Sequence, residues 1–249
     1  MRSVAIIQAR MGSTRLPGKV LAELGGATML AQVVRRLRDA HRITEVVVAT
    51  TIGADDDAVV REAGRLGAGV HRGSAGDVLA RFVGAARSYR ADVVARVTAD
   101  CPLLDAGVVD QVLGALTAGV DYASNTHVRT YPRGLDVEAL HRDTLERIAR
   151  LGTTPAAREH VTAFVMEQPA LFRIAQVTAE PDGRDDSDLR WTVDTADDLA
   201  MVRGLYAELG LGSAARPYRD VVAAVRACPE LARINAHVAQ KPWQVSDVA

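Results

Sequence analysis

The sequence predicts an α/β protein in which a mostly parallel sheet carries helices on both faces. Three observations predict it. Short apolar runs recur as Val4-Ala5-Ile6-Ile7, Val46-Val47-Val48-Ala49 and Val93-Val94-Ala95-Arg96-Val97, the form of strands covered on both sides. Between them, apolar residues return at helical spacing. Strand and helix alternate at short intervals, which is the pattern of right-handed βαβ units.

Each element has its own signal. After the first strand, Thr28 caps a helix with Leu30, Val33, Val34 and Leu37 on one stripe. Its arginines Arg35, Arg36 and Arg38 read as a solvated face rather than a nucleic-acid surface. Val59, Val60, Ala63 and Leu66 form the next helix, and Asp55-Asp56-Asp57 opens it where acidic side chains favour the dipole. Ser74 with Asp77 three residues on resembles a capping box for a helix of Val78, Leu79, Phe82 and Ala85. Asp105 caps a helix of Val108, Val109, Val112, Leu113 and Leu116. The pattern changes near Asp121: Leu135, Val137 and Ala139 alternate with Asp136 and Glu138, as in a half-exposed, antiparallel strand. Helices follow over residues 143–150 and 156–166, then a late strand over 189–193, a helix over 197–209 and two short helices within 218–238. Residues 182–188 are the most loop-like segment, a solvated connection.

Composition sets the class. In 249 residues, 30 basic side chains face 31 acidic ones for a net charge of −1, and 48% of residues are hydrophobic. Such a chain builds a core without staples. The balance argues against wholesale binding to nucleic acid or a membrane surface. Two cysteines, Cys101 and Cys228, make no disulfide framework, so a reducing cytosol is expected. No apolar run is long enough for a signal peptide or a bilayer span. The expectation over residues 1–249 is a cytoplasmic protein of one large domain, or of one domain with a subdomain.

In open parallel sheets, ligands collect beyond the carboxyl ends of the strands. Two loops there are unusual. The first, Gln8-Ala9-Arg10-Met11-Gly12-Ser13-Thr14-Arg15-Leu16-Pro17-Gly18-Lys19, places three cations, two glycines and two hydroxyls after a buried strand. Glycines let backbone N–H groups approach a ligand, and arginine and lysine neutralise clustered oxyanions. The fitting ligand is a polyphosphate. The Walker pattern fails, because five residues separate Gly12 from Gly18 and Val20 follows Lys19. The dinucleotide fingerprint is absent from this loop as well.

The second loop holds Asp100, just past a strand end. A carboxylate opposite a triphosphate holds Mg²⁺, which prefers hard oxygens. Cys101 beside it reads as a packed residue without an activating base. Asp194, in Trp191-Thr192-Val193-Asp194-Thr195, reads equally as a helix cap or a second metal ligand. The six histidines show no zinc spacing.

Together the run from Gln8 to Leu21 resembles the signature of the cytidylyltransferase family typified by spore-coat polysaccharide biosynthesis proteins. That family is related to CMP-KDO and CMP-sialic acid synthetases. Arg72-Gly73 with Asp77-Val78-Leu79-Ala80-Arg81-Phe82, Arg96-Val97-Thr98 with Asp100-Cys101-Pro102-Leu103, Tyr131 to Glu138, Arg158 to Thr162, and Trp191 to Thr195 extend the likeness from Val4 to about Lys241. One departure is Ala99, where the pattern has glycine; its methyl is expected to narrow the pocket.

The resemblance implies a Rossmann-like, GT-A-like nucleotidyltransferase core, with CTP and Mg²⁺ as ligands. It implies that Gln8, Ala9, Arg10, Met11, Gly12, Ser13, Arg15 and Lys19 bind the nucleotide, with the backbone near Ala9, together with Arg72 and Asp77, close to cytosine and ribose. Asp100 and Asp194 would hold the metal, and Arg10, Lys19 and Asp100 would be catalytic. Arg133, Asp136, Glu138, Arg158, Glu159 and His160 would line the acceptor side, within a small antiparallel insertion at residues 125–190 that also serves a homodimer. The implied reaction transfers CMP from CTP to an anionic acceptor with release of pyrophosphate. Two other readings stay open: a nucleotide-sugar-dependent glycosyltransferase, which would want an Asp-x-Asp pair where Asp100-Cys101-Pro102 stands, and a non-catalytic nucleotide-binding protein.

Overall fold

A computed structural model of the protein describes residues 1–179 and 185–240. Residues 182–184 of the expected solvated connection, and Lys241 at the limit of the resemblance, lie outside the described residues. The elements run β1 (Ser3–Gln8), β2 (Glu23–Leu24), β3 (Ala27–Thr28), α1 (Met29–Arg38), β4 (Glu45–Thr51), α2 (Asp57–Arg65), β5 (Gly69–Gly73), α3 (Val78–Ser88), β6 (Val93–Thr98) and α4 (Ala106–Ala115). They continue as β7 (Tyr122–Ser124), β8 (Glu138–His141), α5 (Arg142–Leu151), α6 (Pro155–Glu159), α7 (Ala163–Glu167), β9 (Ile174–Gln176), α8 (Ala196–Leu209), α9 (Tyr218–Ala227) and α10 (Pro229–Arg233).

A seven-stranded sheet has the order β5-β4-β1-β6-β8-β7-β9. Only β8 runs against its neighbours, pairing antiparallel with both β6 and β7. The other pairs are parallel, and β2 with β3 forms a separate antiparallel ribbon. Successive residues of β1 point to opposite faces. Ala5 and Ile7 join a core with α1, α2, α4, α8 and α9, whereas Val4 and Ile6 join one with α3, α5 and α7. Burial on both faces is why the first three apolar runs carry no alternation. Among the described residues, no helix is long and apolar enough to cross a membrane.

Local signals hold at several ends. The Thr28 hydroxyl accepts from Ala31 N at 3.1 Å and the Asp105 carboxylate from Val108 N at 2.9 Å, capping α1 and α4. Other expectations need correction. Asp77 is itself the cap of α3, accepting from Ala80 N, while the Ser74 hydroxyl accepts from Asp77 N. The strand read over residues 135–139 begins at Glu138 and is buried, because β6 and β7 flank it and both faces are covered. The helix expected over 156–166 breaks between α6 and α7, where Val161 takes φ 54°, a left-handed conformation that a β-branched residue resists.

Residues 189–193 form no ladder. They are an extended segment tied to loops, with Trp191 N donating to Arg133 O at 2.7 Å and Val193 N to Asp100 O at 2.8 Å. Arg36 is buried and donates to Leu104 O, and Arg35 donates to Leu211 O and Gly212 O. Arg36 fastens α1 to the loop before α4 and Arg35 fastens it to the turn after α8, so of the three arginines read as a solvated face only Arg38 is exposed.

Candidate active site

The parallel strands β4, β1 and β6 end together, and the loops leaving them meet at that edge. The basic loop after β1 folds back on itself: Ser13 N and Gly18 N both donate to Met11 O at 2.9 Å. Gly18, at φ 72°, makes the reversal that a side chain would strain. Asp56, buried at the start of α2, accepts from Met11 N at 2.7 Å and from the Thr51 hydroxyl. That carboxylate anchors the basic loop to β4, a role beyond the helix-opening one read from the aspartate run. Burial raises the Asp56 carboxyl pKa, but the bonds from Thr51 and Met11 outweigh it and hold the group below its ordinary value.

Lys19 follows Gly18 and is driven inward, 8% exposed. Its Nζ donates to Asp100 Oδ2 at 2.8 Å, Asp194 Oδ1 at 2.9 Å and Val193 O at 2.7 Å. Burial disfavours the charged lysine, yet the two carboxylates outweigh that and raise its pKa. Asp100 is oriented by the Thr98 hydroxyl, 2.5 Å from its Oδ1. Asp194 meets Arg15 at 3.0 Å and Arg190 at 2.8 Å through Oδ2. Burial pushes its carboxyl pKa up, but Lys19, Arg15 and Arg190 bring it below the ordinary value. Thr195, not Asp194, caps α8, in a reciprocal box with Asp198.

Two adjoining clefts open here. A smaller one of about 180 Å³ is lined by Arg10, Gly12, Ser13, Arg15, Lys19 and Glu159, among others. A larger one of about 860 Å³ extends past Arg96, Arg129, Arg133, Asp136, Glu138 and Thr162. Gln8, Arg15, Thr98, Asp100, His160 and Asp194 border both. The structure thus joins the basic loop, both aspartates and most acceptor-side residues. Glu159 lines the smaller cleft rather than the larger one.

Other expected residues stand apart. The Ala9 methyl packs in the core and its N–H donates to Ala49 O at 3.2 Å, while Met11 packs against the core. Arg72 lines neither cleft: its guanidinium donates to Thr51 O, Gly53 O and Asp57. Asp77 is engaged as the α3 cap and lies 3.6 Å from Arg158, and neither residue lines a cleft. Ala99 is 1% exposed in the core, so its methyl narrows no cleft.

Charge on the larger cleft is nearly compensated. Arg129 grips Asp136 through two bonds of 2.6 and 2.9 Å. Glu138 is buried and bound to Arg96, to the Tyr122 hydroxyl at 2.5 Å and to the Thr162 hydroxyl at 2.5 Å. It therefore clamps Arg96, Tyr122 and Thr162 together at the wall of the larger cleft. Among the described residues, the half-buried Arg133 side chain has no ion pair or hydrogen bond. Burial, with Arg129 and Arg190 nearby, lowers its pKa. Cys101 is buried, which raises its thiol pKa well above the ordinary range. Sequence reasoning overlooked Arg129 and Arg190, and read Asp56 only as part of a helix-opening run. Of the two overlooked arginines, Arg190 carried a signal, a charge inside the apolar run Leu189 to Val193.

The donor set fits a divalent cation. Asp100 and Asp194 present hard oxygens within 3 Å of one nitrogen. No group of three or more His, Cys, Asp or Glu among the described residues could hold a metal ion. Magnesium sites of two carboxylates completed by substrate phosphates and water have this composition.

A mostly parallel sheet with a basic glycine turn facing paired carboxylates at its carboxyl edge is the arrangement of the nucleotidyltransferase class. The solved cytidylyltransferase of Leptospira borgpetersenii serovar Hardjo-bovis superposes with a TM-score of 0.88 at 32% identity, over 93% of this chain and 97% of that one. The cytidylyltransferase family model matches residues 4–207, and the chain belongs to that family. It is 35% identical over 211 residues to the spore coat polysaccharide biosynthesis protein SpsF of Bacillus subtilis, covering 82% of this chain and 86% of that protein. It is 32% identical over 243 residues to a 3-deoxy-manno-octulosonate cytidylyltransferase of Anaeromyxobacter dehalogenans, covering 83% and 99% respectively.

Proposed function

We propose that the protein transfers CMP from CTP to an anionic acceptor and releases pyrophosphate. The observation that carries this reading is the shared wall: Arg15, Asp100 and Asp194 border both the basic-loop cleft and the larger one. A triphosphate in the first would put its α-phosphorus towards an acceptor in the second. The acceptor oxygen forms a bond to that phosphorus, the bond to the β-phosphate oxygen breaks, and pyrophosphate leaves. No covalent enzyme intermediate is required; alignment and charge stabilisation suffice.

Arg10, Arg15, Lys19 and the Gly12–Ser13 backbone bind the triphosphate and offset charge on the leaving pyrophosphate. Asp100 and Asp194 would hold Mg²⁺, which would supply Lewis-acid charge to the α-phosphate when bound. Arg133 binds the acceptor's anionic group, and residues 125–190 supply most of the acceptor side. His160, bordering both clefts, is the titratable side chain available if the acceptor is a hydroxyl. A phosphate or phosphonate acceptor, whose attacking oxygen is already deprotonated, needs no base. The enzyme is a cytoplasmic homodimer in this reading.

The test is a pyrophosphate-release screen crossing four nucleoside triphosphates with sugar acids, polyol phosphates and phosphonates. Release with CTP and one anionic acceptor class is expected. CTP binding without turnover on any acceptor, or consumption of a sugar nucleotide without pyrophosphate, would overturn the reading.

A further inference from the structure

Lys19 is fully committed where it stands. Its ammonium has three protons and meets three oxygens: Asp100 Oδ2, Asp194 Oδ1 and Val193 O, at 2.7–2.9 Å. No donor remains for a phosphate. The ammonium lies between the two carboxylates that suit a divalent cation, and those carboxylates come from segments 81 and 175 residues away in the chain.

The sequence adds an independent observation. Of 30 basic residues, only Lys19 and Lys241 are lysine. Every other cation bordering the clefts, including Arg10, Arg15, Arg96 and Arg133, is arginine. Arginine serves phosphate well and often bidentately. A planar guanidinium cannot set a compact charge with three diverging protons among three converging oxygens, whereas an ammonium does. Lysine at position 19 therefore suits the oxygen cage more specifically than it suits phosphate.

We propose that Lys19 is the resident counter-cation of the Asp100–Asp194 pair, holding the two carboxylates together and keeping a divalent cation out until a triphosphate draws the ammonium away. Only the last step rests on the triphosphate reading given above. Two facing carboxylates repel unless a cation lies between them, and one position does not hold two cations. A metal arriving alone must break three charge-assisted bonds and strand a buried ammonium. A triphosphate supplies replacement oxygens, so metal and nucleotide load together.

The test measures Mn²⁺ binding to the full chain without nucleotide, by electron paramagnetic resonance of the free ion. Lys19→Met keeps the length of the side chain and removes the charge. It is expected to bind Mn²⁺ about tenfold or more tighter than the unaltered protein, and adding Asp194→Asn is expected to abolish the gain. A folded Lys19→Met protein that binds Mn²⁺ no tighter overturns the proposal.

The unaltered protein gives a second measurement that needs no variant. With ¹⁵N-labelled lysine it has two side-chain signals, and that of Lys19 is expected to stay in place with Mg²⁺ alone and to move when CTP and Mg²⁺ are added together. Movement with Mg²⁺ alone overturns the counter-cation role. Tighter Mn²⁺ binding by Lys19→Met with no response of the unaltered protein to CTP would support that role and overturn the triphosphate reading.

Discussion

Arg190 donates through Nη2 to Oδ2 of Asp194 at 2.8 Å. Its Nε reaches Asp198 at 2.9 Å, and Asp198, with no exposure, also accepts from Asn235 at 2.8 Å. Arg190 thus fixes Asp194 against a buried anchor. Replacing it by alanine leaves Asp198 buried without its cation, and the expected cost is about 3 kcal/mol, read by denaturant unfolding, with turnover reduced alongside. Arg190→Lys is expected to recover stability more than turnover, because one ammonium does not reproduce the two-carboxylate fork.

Arg133 behaves oppositely. Among the described residues it has no ion pair to lose, and burial with Arg129 and Arg190 nearby disfavours its charge more than Asp136 favours it. Arg133→Ala is expected to leave the melting temperature unchanged or raised. The acceptor KM should rise at least about tenfold, as for loss of one charge-assisted contact, with the KM for CTP unchanged. An unaltered acceptor KM would remove Arg133 from the acceptor site.

For Glu138, the structure predicts a stability defect first. Glu138→Gln leaves Arg96 uncompensated beneath the cleft, at an expected cost of about 3–5 kcal/mol. Burial lowers the Arg96 pKa and Glu138 more than restores it. Normal thermal stability with a raised acceptor KM would instead mean that Glu138 contacts substrate.

Asp56 makes a prediction about pH. Its folded carboxyl is more acidic than the ordinary value of 3.8. Its contribution is therefore present above that value and lost as pH falls through the folded pKa. Asp56→Asn is expected to lose about 2 kcal/mol at neutral pH, and its unfolding free energy should fall less steeply than the parent's on acidification below pH 5. Its KM for CTP should rise, because Met11 and the basic loop lose their charged anchor. Superimposable stability curves would contradict this.

What the sequence made legible was whatever lies locally in the chain. The strands β1, β4 and β6 announce themselves because both faces are buried, and the caps Thr28 and Asp105 because they act three residues away. The edge strand β5 reads Gly-Val-His-Arg-Gly, only partly buried, and carries no apolar run. Residues 189–193 look like a strand because Trp191 and Val193 are buried, yet their hydrogen bonds go to loops. Within the site, the basic loop and the two aspartates were visible as separate motifs. That Lys19 lies between Asp100 and Asp194, or that Asp56 holds Met11, depends on convergence of distant segments and has no local signature.

The most direct measurement is a crystal structure of the protein grown with CTP and Mg²⁺. The triphosphate should lie along the Arg10–Lys19 loop, with Asp100 and Asp194 at the metal beside the α-phosphate. Nucleotide bound elsewhere, with that loop vacant and Asp100 away from any phosphate, would contradict it.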